Sequence, residues 1–239
     1  MKRSAIKCLY DWKQSDRRKP LIMLGARQVG KTWLMREFAS EAYEKSAYVN
    51  FEDDKMLKGM FASDFDIPRI INTIQWSTGV TIDEDTLIIL DEIQEAPRGI
   101  TALKYFAEKA PQYHVMAAGS LLGIAMHQND SFPVGKVDFM HLYPLSFFEF
   151  LEAVGECKMV ELLQAKDWPM ITMFRSKFEE RLRQYYFVGG MPVAVLKFIT
   201  TGDTTKVREV QNEILLAYEK DISKHAQSNE AVRISQVWA

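Results

Sequence analysis

Residues 21–32 read Leu21-Ile22-Met23-Leu24-Gly25-Ala26-Arg27-Gln28-Val29-Gly30-Lys31-Thr32. The first four residues are apolar and predict a short strand, whereas the stretch from Lys31 to Ser40 predicts a helix. The loop between them matches the pattern G-x-x-x-x-G-K-[ST], and a strand before and a helix after it are the context that supports a phosphate-binding loop. The segment therefore predicts an anion site at the end of a strand.

The chemistry of this Walker A loop assigns a role to each kind of residue in it. Its glycines let successive backbone N–H groups converge on phosphates at a helix N-terminus, where the partial positive charge favours an anion. Lys31 is expected to reach the β and γ phosphates, and the Thr32 hydroxyl to coordinate Mg²⁺. The candidate nucleotide-binding residues are Gly25, Gln28, Val29, Gly30, Lys31, Thr32 and Trp33. The competing interpretation is a glycine turn with an exposed lysine.

Strand and helix signals alternate through the first 145 residues. Strand candidates are 47–51, 87–90, 113–118 and 137–142, and helical spacing occupies 67–74 and 103–110. Residues 87–90 are apolar throughout, as expected for a central parallel strand covered by helices on both faces. This alternation predicts an α/β sheet flanked by helices.

Two carboxylates, Asp91 and Glu92, follow the apolar strand 87–90 in a Walker B arrangement. Asp91 is the second metal candidate, because a carboxylate at a strand end can hold Mg²⁺ through water. Glu92 is the candidate catalytic base that polarises the attacking water. The competing interpretation is a pair of solvated charges at the end of a strand.

Ser120 follows the strand candidate 113–118 and is the weakest of the catalytic candidates, which are Lys31, Glu92 and Ser120. Its hydroxyl could contact the γ-phosphate or orient water. A helix N-cap for residues 121–126 explains the same serine equally well. Both interpretations stay open.

Helices dominate the prediction after about residue 145. Ser146-Phe147-Phe148-Glu149 is a capping box that opens one of them. One helix face is predicted to carry Ile171, Phe174, Phe178, Leu182 and Tyr185, and another Val207, Val210, Ile214, Tyr218 and Ile222. An apolar pattern that begins at Val232 stops at Ala239, so we expect the natural protein to be longer.

Composition narrows the function classes. The chain has 30 Lys+Arg against 32 Asp+Glu, without the chain-wide basic surface typical of duplex binding. Its apolar runs are far shorter than the about 20 residues that a membrane span needs, and the charged N-terminus is not a secretory signal. Cys8 and Cys157 suit free buried thiols in a reducing compartment. We expect a cytoplasmic protein.

Taken together, these motifs resemble those of the AAA-superfamily P-loop ATPases of bacteria and archaea in which an ATPase core precedes a C-terminal domain of unknown function. The resemblance extends over nearly the whole chain. It rests on residues 18–21, 25–32, 48–52, 90–94, 118–123, 132–136, 144–151 and 189–192.

The resemblance implies a five-stranded parallel sheet with the P-loop strand central, adenine as the base, a helical lid and a further domain beyond Ala239. On this basis we divide the chain into an N-terminal basic helix (1–20), an AAA-type ATPase core (21–165), and a helical lid with the start of a truncated C-terminal region (166–239). Two kinds of macromolecular partner are considered besides ATP. One is a second copy of the chain, and the other is a protein or nucleic acid bound through the missing C-terminal region.

One position departs from the family pattern. Related sequences often have arginine where this chain has Lys136, just before the last strand. Lysine contacts phosphate as a point charge and lacks the bidentate fork of an arginine finger, so activation by a neighbouring subunit is in question. Arg69 and Arg98 are substitutes by position, with a solvated helix charge as the competing interpretation of each.

Two functions follow as hypotheses. The first is an ATPase that couples Mg-ATP binding and hydrolysis to a conformational change of a C-terminal effector region. The second is an ATP-controlled protein-interaction switch with little turnover. Glu92 favours the first, whereas Lys136 and the apparent truncation favour the second.

Overall fold

A computed structural model describes residues 1–54, 56–119 and 135–225. The strands are β1 (Leu21–Leu24), β2 (Ser46–Asn50), β3 (Leu87–Asp91), β4 (His114–Ala118) and β5 (Asp138–His141). The first four helices are α1 (Ile6–Lys13), α2 (Lys31–Ala42), α3 (Ile67–Thr78) and α4 (Gly99–Lys109). The later helices are α5 (Phe147–Ala153), α6 (Cys157–Ala165), α7 (Trp168–Met173), α8 (Arg175–Val188), α9 (Pro192–Thr201) and α10 (Thr204–His225).

The five strands form one parallel sheet in the order β2-β3-β4-β1-β5. This confirms the predicted α/β class and the five-stranded parallel sheet. The expected central place of the P-loop strand is wrong, because β1 lies between β4 and the edge strand β5 and the middle strand is β4. The chain leaves β1 for the far edge at β2 and then fills the intervening positions with β3 and β4.

Helices cover both faces of the sheet. Side chains of α1 and α2 pack on one face with Leu87 and Ile89, and those of α3 and α4 pack on the other with Ile88 and Leu90. Every residue of β3 is buried, as its continuous apolar sequence predicts. Because side chains alternate along a strand, Asp91 emerges on the same face as Ile89, which is the face that α2 covers.

The described residues form two compact units. One comprises residues 3–143, which hold the sheet and α1 to α4, and the other comprises residues 1–2 and the helices from residue 144 onward. This division differs from the functional division at residues 20 and 165 expected from sequence, which stays a prediction. Within the described residues, every helix is too short or too polar to cross a membrane.

The capping box that opens α5 is present, since Ser146 accepts from the Glu149 backbone N–H and the Glu149 carboxylate accepts from the Ser146 backbone N–H. The single helix face predicted to run from Ile171 to Tyr185 is wrong. Helix α7 ends at Met173 and α8 begins at Arg175. Ile171 therefore belongs to a different helix from Phe178, Leu182 and Tyr185, and Phe174 lies between the two helices. The apolar residues keep their helical spacing across the break, so the sequence pattern does not indicate that one helix ends there.

Cys8 and Cys157 are free thiols, and both are exposed to solvent. The sequence-based expectation that they are buried is therefore wrong. Cys8 lies in α1, whose buried residues are Leu9 and Trp12, and Cys157 is the first residue of α6. Each sits on or at the start of an amphipathic helix, where the position around the helix axis determines exposure.

A buried histidine at the start of β4 makes stability depend on pH. The His114 Nδ1 lies 2.6 Å from the Tyr43 hydroxyl oxygen. Burial lowers the pKa of His114 to about 4, and the charges of Arg18 and Lys13 act in the same direction. In the unfolded chain the pKa returns to about 6.5, so the unfolded state binds a proton that the folded state does not.

We therefore expect the free energy of unfolding to fall as pH is lowered from about 6.5 to about 4. The contribution of His114 to this slope should be below about 1.4 kcal/mol per pH unit. Urea unfolding of the wild type and of His114→Gln at several pH values measures that slope. The variant should lose less stability over this window than the wild type. Equal pH dependence in the two proteins would show that His114 does not contribute.

Candidate functional site

The loop between β1 and α2 has the backbone conformation that its glycines predict. Gly30 has φ 98° and directly precedes α2, and Gln28 has φ 63°, also in the left-handed region. A Cβ atom on Gly25, whose φ is 158°, would lie 2.4 Å from the Leu142 carbonyl oxygen. Glycine is therefore required at this position by a neighbouring backbone as well as by the loop itself.

Lys31 is 6% exposed, and its ammonium group donates to the carbonyl oxygens of Gly25 at 2.9 Å and Ala26 at 3.0 Å. Burial lowers the pKa of Lys31, while the nearby carboxylates of Glu92 and Asp91 act in the opposite direction. The interpretation of this residue as an exposed lysine is therefore wrong. The side chain lies along the loop and contacts its backbone.

Asp91 lies at the carboxyl end of β3 and is 2% exposed. Its Oδ2 accepts from the Thr32 hydroxyl at 2.7 Å and from the Tyr48 hydroxyl at 2.9 Å. Its Oδ1 accepts from the Glu92 backbone N–H at 3.1 Å. The fold thus brings together Thr32 and Asp91, the two residues predicted to hold a metal, from positions 59 residues apart.

Glu92 is half-buried and has φ 50°, a left-handed conformation that is uncommon for a residue with a side chain. Its Oε2 accepts from the Gln94 side-chain amide at 2.5 Å. The turn directs the chain away from β3 directly after Asp91, so the two carboxylates have different surroundings. Asp91 is enclosed and held by three donors, whereas Glu92 stays partly accessible to solvent.

The remaining site residues predicted from sequence differ in their exposure to solvent. Val29 is completely buried, whereas Trp33 is 42% exposed on the first turn of α2. Ser120 lies outside the described residues, so both interpretations of it stay open. Sequence reasoning assigned no role to Tyr48 or Gln94, although both lie in segments that carry the family resemblance. The signal that could have found Tyr48 is its polar tip in a strand whose alternation places it on the α2 face.

The two arginines considered as substitutes for an arginine finger have partners in their own chain. Arg69 donates to the Asp64 carboxylate at 2.8 and 3.1 Å. The Arg98 guanidinium lies 4.2 Å over the ring of Phe65. Both side chains therefore contact residues 64–65, which lie just before α3.

Family comparison gives two matches along the chain. A model for an AAA domain matches residues 17–151, more than half of the 239 residues, and therefore includes β1 to β5 and every described residue of the site. A model for a domain of unknown function (DUF8612) matches residues 179–239. No curated protein matches the chain.

Solved structures match the chain at low sequence identity. The Walker-type ATPase PABY2304 of Pyrococcus abyssi matches with a TM-score of 0.50 and 15% identity, over 97% of this chain and 75% of that one. The Aeropyrum pernix ORC1 protein in complex with DNA gives a TM-score of 0.42 and 14% identity, over 62% and 47%. PCH-2 of Caenorhabditis elegans gives 0.38 and 16%, over 67% and 45%. At 15% identity, the likeness to the Pyrococcus abyssi protein concerns the fold alone.

Proposed function

The chain belongs to the AAA domain family, and from that premise we propose that it is a Mg²⁺-dependent ATPase that cleaves the β–γ anhydride bond of ATP. Family membership implies nucleotide binding and hydrolysis in general. The choice of ATP, the requirement for Mg²⁺ and the residue roles below are specific to the proposal.

The observation that carries the proposal is the Thr32–Asp91 hydrogen bond beside the P-loop. The Thr32 hydroxyl donates to Asp91, so its lone pairs are free to face a cation on the other side. A hydroxyl and a carboxylate suit Mg²⁺, which keeps several waters and takes few protein ligands when it binds with a nucleotide. These two residues would hold the ion, and it would supply charge neutralisation on the phosphate oxygens.

The loop residues bind and orient the triphosphate. The N-terminus of α2 directs backbone N–H groups of Gly30, Lys31 and Thr32 toward an anion, because the first N–H groups of a helix have no partner within it. Lys31 exchanges its two carbonyl acceptors for phosphate oxygens, which are stronger acceptors for an ammonium group. Burial of this side chain strengthens the interaction by excluding water.

Glu92 is the proposed base. Its carboxylate orients a water molecule and accepts its proton as the water oxygen bonds to the γ-phosphorus. The bond from that phosphorus to the bridging oxygen breaks, and ADP leaves with the bonding electrons. Gln94 positions the Glu92 carboxylate through its side-chain amide. A role for Ser120 in contacting the γ-phosphate stays a prediction.

Phosphate release from ATP and from GTP, with Mg²⁺ and with EDTA, tests the proposal directly. We expect multiple turnovers with ATP and Mg²⁺, and no release with EDTA. Release from GTP at the same rate would remove the adenine preference. Absence of release under all four conditions, together with tight ATP binding, would favour the interaction switch.

Coupling to the helical region is the second part of the proposal, with functional segments 1–20, 21–165 and 166–239 as divided above. It predicts that the nucleotide state changes hydrogen exchange in helices α8 to α10. The comparison is between Glu92→Gln with ATP and the same variant with ADP, so that only the γ-phosphate differs. Identical exchange in these helices would contradict coupling.

A lysine at position 136 is the observation that favours the switch. The Lys136 ammonium lies 3.1 Å from the Glu108 carboxylate of its own chain, where it lowers the pKa of that carboxyl. An ammonium offers a point charge and lacks the planar fork of the guanidinium used in arginine fingers. Completion of the site by a neighbouring subunit is therefore not expected to depend on Lys136.

We expect the rate per subunit to be independent of protein concentration, and Lys136→Ala and Lys136→Arg to give the wild-type rate. Phosphate release over a hundredfold concentration range measures this. A rate that rises with concentration, falls in Lys136→Ala and rises further in Lys136→Arg would instead assign Lys136 to a neighbour's nucleotide.

A further inference from the structure

Tyr48 contacts the candidate metal site from β2, a strand to which the sequence assigns no metal or catalytic residue. It lies in the middle of β2, paired in register with Ile89 of β3, and its side chain is half-buried against the cluster formed with α1 and α2. From there its hydroxyl reaches the Asp91 Oδ2 at 2.9 Å. Tyr48 therefore adds a donor to the carboxylate from a second strand.

The Asp91 carboxylate is held at both oxygens. Oδ2 accepts from Thr32 and Tyr48, and Oδ1 accepts from the Glu92 backbone. Rotation of this carboxylate would break all three hydrogen bonds, and its burial would leave the oxygens without water as a replacement. Of the two side-chain donors, Thr32 is itself a proposed metal ligand, whereas Tyr48 is assigned no role in holding the ion directly.

The Tyr48 ring is held in place from α2. A tyrosine hydroxyl ordinarily has a pKa of about 10, so it is a donor at neutral pH. The guanidinium of Arg36, four residues after Thr32 in α2, lies 4.0 Å over the Tyr48 ring. The ring is thus anchored to the same helix that provides Thr32.

We infer that Tyr48 is a positioning residue that holds the Asp91 carboxylate in its metal-binding orientation, through the Tyr48 hydroxyl to Asp91 Oδ2 hydrogen bond. This inference rests on the proposed function, since it concerns the Mg²⁺ site assigned there. Loss of an outer partner of a metal-binding group typically costs about 10- to 100-fold in metal affinity. Tyr48 thus acts on the ion through Asp91 and makes no direct contact with nucleotide.

Tyr48→Phe removes only the hydroxyl and keeps the ring under Arg36. The Mg²⁺ midpoint is the free Mg²⁺ concentration at which the strengthening of ADP binding is half-maximal, and it is measured by calorimetric titrations of ADP at a series of Mg²⁺ concentrations. We expect Tyr48→Phe to raise this midpoint by about 10-fold. ADP affinity in EDTA should equal that of the wild type. Urea unfolding of both proteins confirms that the variant is folded.

Tyr10→Phe is the matched control, because it removes a tyrosine hydroxyl that donates to Glu41 and leaves Asp91 untouched. It should keep the wild-type Mg²⁺ midpoint. In an Asp91→Ala background, Tyr48→Phe should produce no further shift, since the acceptor through which it acts is gone.

An unchanged Mg²⁺ midpoint in Tyr48→Phe would overturn the inference. An equal loss of ADP affinity with Mg²⁺ and with EDTA would also overturn it, because that result indicates a structural effect on the loop. If the ADP affinity of the wild type does not depend on Mg²⁺, the proposed function itself is overturned. The wild-type titration shows this before any variant is measured.

Discussion

Lys31→Ala is expected to lower the affinity for ATP by about 30- to 1,000-fold while leaving the fold intact. The loss corresponds to about 2 to 4 kcal/mol for a charge-assisted contact with phosphate in a buried setting. In the structure the Lys31 ammonium group donates to the loop carbonyl oxygens of Gly25 and Ala26. Calorimetric titration of ATP into both proteins measures the difference.

Lys45→Ala is the matched control, because Lys45 is an exposed lysine of the same unit that pairs with Asp83 at 2.7 Å. It should bind ATP like the wild type. Equal ATP affinity in Lys31→Ala and in the wild type would remove the P-loop assignment, whatever the control shows. Circular dichroism of each variant establishes that the comparison is between folded proteins.

The second large effect is expected at Glu92. Glu92→Gln should retain ATP binding and reduce the hydrolysis rate by about 10²- to 10⁴-fold, the usual contribution of a general base. The amide keeps the size of the side chain, and its oxygen can still accept from Gln94, but it cannot take a proton from water. Binding by calorimetry and turnover by phosphate release should therefore separate.

Glu95→Gln provides the comparison for this variant. Glu95 lies three residues further on and pairs with Lys58 at 3.3 Å. Its neutralisation should leave turnover unchanged, because the carboxylate is part of a surface ion pair. Hydrolysis by Glu92→Gln at the wild-type rate would show that Glu92 is structural and that another group activates water.

Local patterns in the sequence were sufficient to predict the strand, glycine loop and helix of residues 21–42, the buried strand before Asp91 and the capping box at Ser146. Each of these depends on residues within about eight positions of one another, so spacing and side-chain type specify the geometry. The alternation of such elements then predicted the α/β class. The roles of Lys31, Thr32, Asp91 and Glu92 were proposed from the same local signals.

Only the tertiary structure decided which distant side chains meet. The parallel register of β2 and β3 brings Tyr48 beside Asp91, and the packing of α2 brings Thr32 to the same oxygen. A hydroxyl in a strand has no local pattern that distinguishes a partner of a carboxylate from an ordinary half-buried tyrosine. That distinction arises from sheet order and helix packing, which depend on contacts across the whole unit.

Exposure of the two cysteines and the helix break before Arg175 were decided in the same way. Apolar periodicity reports which residues can share a face, but continues unchanged where one helix ends and another begins. Burial of a small thiol depends on which part of the helix surface a neighbour covers. The sequence by itself determined the local chemistry of the loop and strand ends, whereas long-range packing determined how that chemistry is assembled and held.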